Sequence, residues 1–150
     1  RTRDLVYDGN NISKFIRDKD HGFFKIIDFM NIWSNEFKKN SSDFIIVRYE
    51  DLKIDAFKEL KKVLNFININ VEDNIITNVV EFGSFNNMRK MELSGKINDY
   101  RMKPGDKNDP NSFRTRKGEV GGYKEELIQE DIDYINNELK EKLDPLFGYS

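Results

Sequence analysis

Apolar residues recur at helical spacing along most of this chain. Phe23, Ile26, Ile27, Met30, Trp33 and Phe37 fall on one face. They predict a helix that starts after Gly22 and ends near Lys39-Asn40, where cations suit a helix C-terminus. A short helical piece, Lys14 to Arg17, precedes it, with Ser13 as its cap. Asp55 begins the next helix, with Phe57, Leu60, Val63, Leu64 and Ile67 inward. A further helix runs from about Glu72 and uses Ile75, Ile76, Val79 and Val80. Ser84 is placed to cap another, Phe85 to Leu93. The final helix starts near Glu130, with Glu130, Asp131 and Asp133 acidic in its first turn. Its inner face is Ile132, Ile135, Leu139 and Leu143, and Pro145 stops it.

One run breaks the helical period. Phe44-Ile45-Ile46-Val47 is continuously apolar and β-rich, as expected of a strand buried on both faces of a parallel sheet. A lone buried strand cannot satisfy its own backbone groups, so it needs neighbours. No run of comparable quality occurs elsewhere in the chain. The expectation is therefore a sheet contributed from upstream of Arg1, and self-association through the strand's edge where nothing covers it. Arg1 to Asn11 reads as polar and turn-like. Ser94 to Gly122 is rich in Gly, Pro, Asn and Asp, and loops of that length are usually functional or disordered. There is no internal repeat and no sign of a second domain.

Composition narrows the classes. The 150 residues are enough for a compact domain with a core. Twelve Phe and six Tyr argue against disorder. A mean hydropathy of -0.73 and the lack of any apolar run near the roughly 20 residues of a membrane helix predict a soluble protein. The net charge of -2 disfavours nucleic acid as a partner, because phosphate neutralisation needs a clearly basic protein. The absence of Cys removes disulfides and thiolate chemistry, and a single His makes a histidine metal site unattractive, so no metal is expected. His21, before Gly22 at a helix start, reads as a surface or capping residue.

Three stretches carry candidate chemistry. In Val47-Arg48-Tyr49-Glu50-Asp51-Leu52, Tyr49 sits at the carboxyl end of the apolar run, where open α/β sheets bind ligands. A tyrosine there meets a flat base and offers a hydroxyl. The alternative is a core tyrosine with Glu50-Asp51 capping the next helix. In Phe82-Gly83-Ser84-Phe85-Asn86-Asn87-Met88, a hydroxyl and an aromatic precede a helix N-terminus, which favours anions. The alternative is a plain serine cap with Phe85 and Met88 buried. In Arg114 to Lys124, the adjacent cations Arg116 and Lys117 precede Gly118. Arginine offers bidentate hydrogen bonds to phosphate, lysine a point charge, and glycine lets the backbone come close. The alternative is a solvated basic loop.

In this order and spacing, Arg-Tyr-Glu-Asp-Leu, Ser-Phe-x-x-Met and Arg-Lys-Gly-x-x-Gly resemble the sulfotransferases. The resemblance runs from about Ile12 to Tyr149, and the ending Gly121 to Tyr149 looks like bacterial members. It implies an α/β fold. The chain would be the C-terminal part, residues 1–150, of a single P-loop-like, three-layer parallel-sheet sulfotransferase domain, mainly helical here with one clear strand. It implies 3′-phosphoadenosine-5′-phosphosulfate as donor and adenosine 3′,5′-bisphosphate as product, with a hydroxyl or amine on a small molecule or glycan as acceptor. By the match, Tyr49 lies at the adenine, Ser84 and Phe85 border the nucleotide, and Met88 packs behind. Arg116, Lys117 and Gly118 hold the 3′-phosphate. A bacterial origin would imply the cytoplasm.

The departures are also clear. Gly83 and Arg114 stand where the family often has a small hydroxyl residue and an aromatic, with Phe113 one place away. Tyr123 replaces a tryptophan common in animal cytosolic members. The family's Lys-x-Gly-Thr-Thr type phosphosulfate loop has no counterpart, nor has its usual histidine base or the upstream Arg and Ser at the 3′-phosphate. No catalytic residue is therefore assigned. The chain is expected to supply part of the nucleotide site and to be inactive alone. The rival reading is a non-catalytic helical interaction module.

Overall fold

The computed structural model of the chain describes residues 12–95, 104–109 and 112–149. It divides into two compact units, one of residues 1–46 with 123–150 and one of residues 47–122.

In the first unit, α1 (Ile12–Ile16), α2 (Phe23–Lys39) and α7 (Gln129–Lys142) pack together. A turn between α1 and α2 is held by Asp18, whose Oδ1 accepts from the N–H of Asp20 at 2.9 Å and of His21 at 2.8 Å. Gly22 closes this turn. A Cβ there would lie 2.2 Å from the Phe15 carbonyl oxygen, so the close approach requires glycine. The core includes Ile16, Ile27, Ile132 and Leu143. Asp131 is also fully buried. Its Oδ2 accepts from Ser13 Oγ at 2.5 Å and its Oδ1 pairs with Arg17. Arg17 in turn lies 4.5 Å over the Tyr134 ring. This cluster ties α1 to the first turn of α7. At the other end, Asp144 pairs with Lys38 and caps the 3₁₀ turn Pro145–Phe147. The Lys38 ammonium, with the Leu146 N–H, brings the Asp144 carboxyl down to about 2.

In the second unit, α3 (Tyr49–Ile54), α4 (Ala56–Phe66), α5 (Asp73–Phe82) and α6 (Phe85–Ser94) pack each on the next. Asp55 caps α4 by accepting from the Lys58 N–H at 2.9 Å. Ser84 caps α6 by accepting from the Asn87 N–H at 3.3 Å. Each such cap is worth about 1 kcal/mol against alanine. The described residues of the 104–122 stretch form no α-helix or strand. Ile76 and Phe113 are buried, together with the polar side chains of Glu59, Glu92 and Thr115.

The structure corrects the strand. Phe44 is extended, with φ -131° and ψ 148°, yet residues 44–47 form no β-strand, and none is formed among the described residues. A strand is defined by a ladder as well as by its own apolar character, and no second strand exists there to complete one. The parallel sheet is accordingly absent from the described residues. A second correction is α3. Tyr49 opens a helix of six residues, where the sequence placed it at the end of a strand and began the helix at Asp55.

Candidate functional site

All seven residues singled out for nucleotide binding lie in the 47–122 unit. Tyr49, 48% exposed, is the first residue of α3. Lys53 follows one turn later on the same helix face, and its Nζ lies 5.9 Å from the centroid of the Phe85 ring. Phe85 opens α6 directly after the Ser84 cap, and Met88 follows it, 36% exposed. Met88 thus sits at the surface.

Gly118 comes against Phe85 from the loop. It has φ +62°, and a Cβ built on it would be 2.4 Å from Phe85 Cδ2. The second and third sequence motifs are therefore in contact. Arg116 and Lys117, just before this glycine, are exposed.

The loop is fastened to α6 by residues the sequence reading passed over. Glu92, 2% exposed, accepts from the Arg114 N–H at 2.7 Å, the Thr115 N–H at 3.1 Å and Thr115 Oγ1 at 2.6 Å. Burial pushes the Glu92 carboxyl up. The Thr115 hydroxyl, the two backbone N–H groups and the nearby Arg89 outweigh that and hold it below the usual carboxylate range. Arg89 donates to the Thr115 carbonyl oxygen at 2.7 Å and lies 3.3 Å over the Phe113 ring. Phe85, Arg89 and Glu92 are spaced by four and three residues, which puts them on one face of α6. Residues 113–116 alternate: Phe113 and Thr115 are buried, Arg114 and Arg116 exposed. The four residues form a succession of bends, with the two buried side chains turned to α6. Phe113 therefore faces α6 and does not share the outward side with Arg116. The helical spacing and the alternation were both visible in the sequence, but only together do they identify the clamp.

Among the described residues, no group of three His, Asp or Glu side chains is arranged to hold a metal ion. None of their helices is long and apolar enough to cross a membrane. A cleft lined by Tyr123, Lys124, Leu127, Gln129, Ile132 and Asn136 lies in the other unit and contains none of the seven residues.

The sulfotransferase domain family matches residues 23–147. The chain belongs to the sulfotransferase family. Cytosolic sulfotransferase 12 of Arabidopsis thaliana is 26% identical over 112 residues, which cover 70% of this chain and 31% of that protein. Cytosolic sulfotransferase 15 of the same plant is 26% identical over 119 residues, 76% of this chain and 31% of that one. A flavonol sulfotransferase-like protein of Flaveria bidentis is 29% identical over 107 residues, 68% and 30% of the two chains. This sulfotransferase chain thus spans about a third of the length of these relatives. All three are plant proteins, so the bacterial character of its ending rests on the sequence alone. No solved structure matches it.

Proposed function

We propose that the 47–122 unit forms part of the nucleotide site of an enzyme that moves a sulfuryl group from 3′-phosphoadenosine-5′-phosphosulfate to a hydroxyl or amine of a small molecule or glycan. The observation that carries this reading is the contact of Gly118 with Phe85. It joins a capped helix N-terminus to a loop that turns Arg116 and Lys117 outward. Free N–H groups at a helix N-terminus and adjacent cations both suit an anion, and Arg offers it a bidentate pair. In this reading Arg116, Lys117 and Gly118 hold the 3′-phosphate. Ser84 and Phe85 border the nucleotide, Met88 adds apolar surface beside them, and Tyr49 meets the adenine. The donor supplies the activated sulfuryl group, and the residues named here bind and orient it.

The test compares two ligands. Arg116→Ala is expected to weaken adenosine 3′,5′-bisphosphate by about 1.5 to 3 kcal/mol, the scale of a charge-assisted hydrogen bond. Adenosine 5′-monophosphate, which lacks the 3′-phosphate, should be barely affected. Titration calorimetry on the purified protein and variant reads both. Equal weakening for the two nucleotides means that Arg116 only supports the loop, and no change for either returns it to the solvated surface.

The 150 residues are also proposed to be inactive by themselves. They contain neither a Lys-x-Gly-Thr-Thr type loop nor a histidine at a matching position. Sulfuryl transfer to any acceptor by the purified chain, with no other polypeptide present, would contradict this.

A further inference from the structure

We infer that Glu92 is the positioning residue that sets the register of the 113–118 loop and so decides which cations face a bound phosphate. The inference rests on the nucleotide-site reading for its consequence, though not for its geometry.

Three donors from two consecutive residues converge on one buried carboxylate. A carboxylate that is 2% exposed is costly to bury unless it is fully hydrogen-bonded, and here the loop itself supplies the bonds. The arrangement works in both directions. The N–H groups of Arg114 and Thr115 are consumed by Glu92, so neither is left to meet an external anion. Thr115 is also drawn inward through its hydroxyl. With Phe113 and Thr115 drawn inward, Arg114 and Arg116 on either side of Thr115 are left exposed. A loop released from Glu92 would lose this order of buried and exposed positions, and with it the outward placement of Arg116. Arg89 reinforces the same register by taking the Thr115 carbonyl and covering Phe113. Beyond Arg116 the chain reaches Gly118, which lies against Phe85 at the start of the same helix. One helix face, through Phe85, Arg89 and Glu92, therefore holds the loop along about two turns of α6.

Two readouts on the purified protein test this. The first is the preference for adenosine 3′,5′-bisphosphate over adenosine 5′-monophosphate, as a ratio of dissociation constants. The second is the rate of tryptic cleavage after Arg114, Arg116 and Lys117, which needs no nucleotide. Glu92→Ala is expected to lower the preference about tenfold and to raise the cleavage rate by at least as much. Two milder variants guard against a Glu92→Ala chain that does not fold. Glu92→Gln keeps the volume but sets an amide NH2 against a loop donor. Thr115→Val keeps the shape and removes one donor. Both should shift each readout in the same direction, severalfold, with far-UV circular dichroism unchanged. Folded Glu92→Gln and Thr115→Val chains that keep both the wild-type preference and the wild-type cleavage rate would overturn the inference. A wild-type protein without any 3′-phosphate preference would overturn the nucleotide reading instead, and the cleavage rates would still decide whether Glu92 sets the loop.

Discussion

Asp131→Ala is expected to lower the melting temperature by roughly 5 to 10 °C, below the loss of a fully buried ion pair because Arg17 is partly exposed. Asp131 has no exposed surface. Its carboxylate holds Arg17 and Ser13 of the α1 region against α7 across more than a hundred residues of sequence. The Arg17 hydrogen bond, then that of Ser13, hold its pKa below the ordinary value against the opposing effect of burial. Truncation takes from the Arg17 guanidinium its closest partner and leaves it Glu130, at 3.6 Å. Asp131→Asn keeps the shape and loses the charge, so its loss should be smaller. Acid gives an independent readout. The folded pKa lies below the unfolded one, near about 3.9. The carboxylate's contribution is therefore complete above that value and fades as pH falls through the folded pKa. The gap in melting temperature between wild type and Asp131→Asn should be widest near neutrality and narrow below about pH 4. Thermal melts followed by circular dichroism at several pH values measure this. A gap that is absent at pH 7 would remove the cluster from the stability of this unit.

The sequence held no hint of that cluster. Asp131 stands among acidic residues at a helix start and reads as a partner for the helix dipole. Its real partners lie far away in sequence, where neither periodicity nor spacing points. The helices themselves were legible where a stripe of three turns or more coincided with a cap. Asp55, Ser84 and Pro145 mark boundaries that the structure keeps. At six residues α3 is too short to build a stripe, and the apolar run before it suggested a strand instead. Burial was less legible than helix position. In α2 the apolar face is real, yet Ile27 and Ser34 are buried while Ile26 and Trp33 are 55% and 45% exposed. A stripe shows which face is apolar but not what covers it. The candidate site follows the same logic. Its three motifs were each visible, and the order of the motifs resembled one family. The carboxylate that locks the loop was not visible, since Glu92 resembles any polar residue on an amphipathic helix until the loop is folded onto it.

The contact that joins two of those motifs gives the second large effect. Gly118→Ala is expected to destabilise the 47–122 unit by about 2 to 5 kcal/mol, from two separable causes. At φ +62° an L side chain meets its own backbone, which costs about 1 to 2 kcal/mol. The new Cβ also falls 2.4 Å from Phe85 Cδ2 and 2.7 Å from Cε2, far inside any real carbon–carbon contact. Relief requires the ring or the loop to move, and overpacking of this kind costs about 1 to 3 kcal/mol. Only the second cause depends on Phe85. In a Phe85→Ala background the ring is gone, and Gly118→Ala should then cost only the backbone share. Urea denaturation of the four proteins in the cycle should give a coupling of about 1 to 3 kcal/mol, with the double variant more stable than the sum of the singles predicts. The same contact matters to the site, because a loop pushed off Phe85 carries Arg116 and Lys117 with it. Preference for the 3′-phosphate should therefore fall in Gly118→Ala and recover in part in the double variant, even though the double variant lacks an aromatic at the nucleotide's border. Additive stabilities would mean that the loop does not rest on Phe85 in solution. Coupled stabilities with no change in preference would separate the packing of Gly118 from any part in holding phosphate.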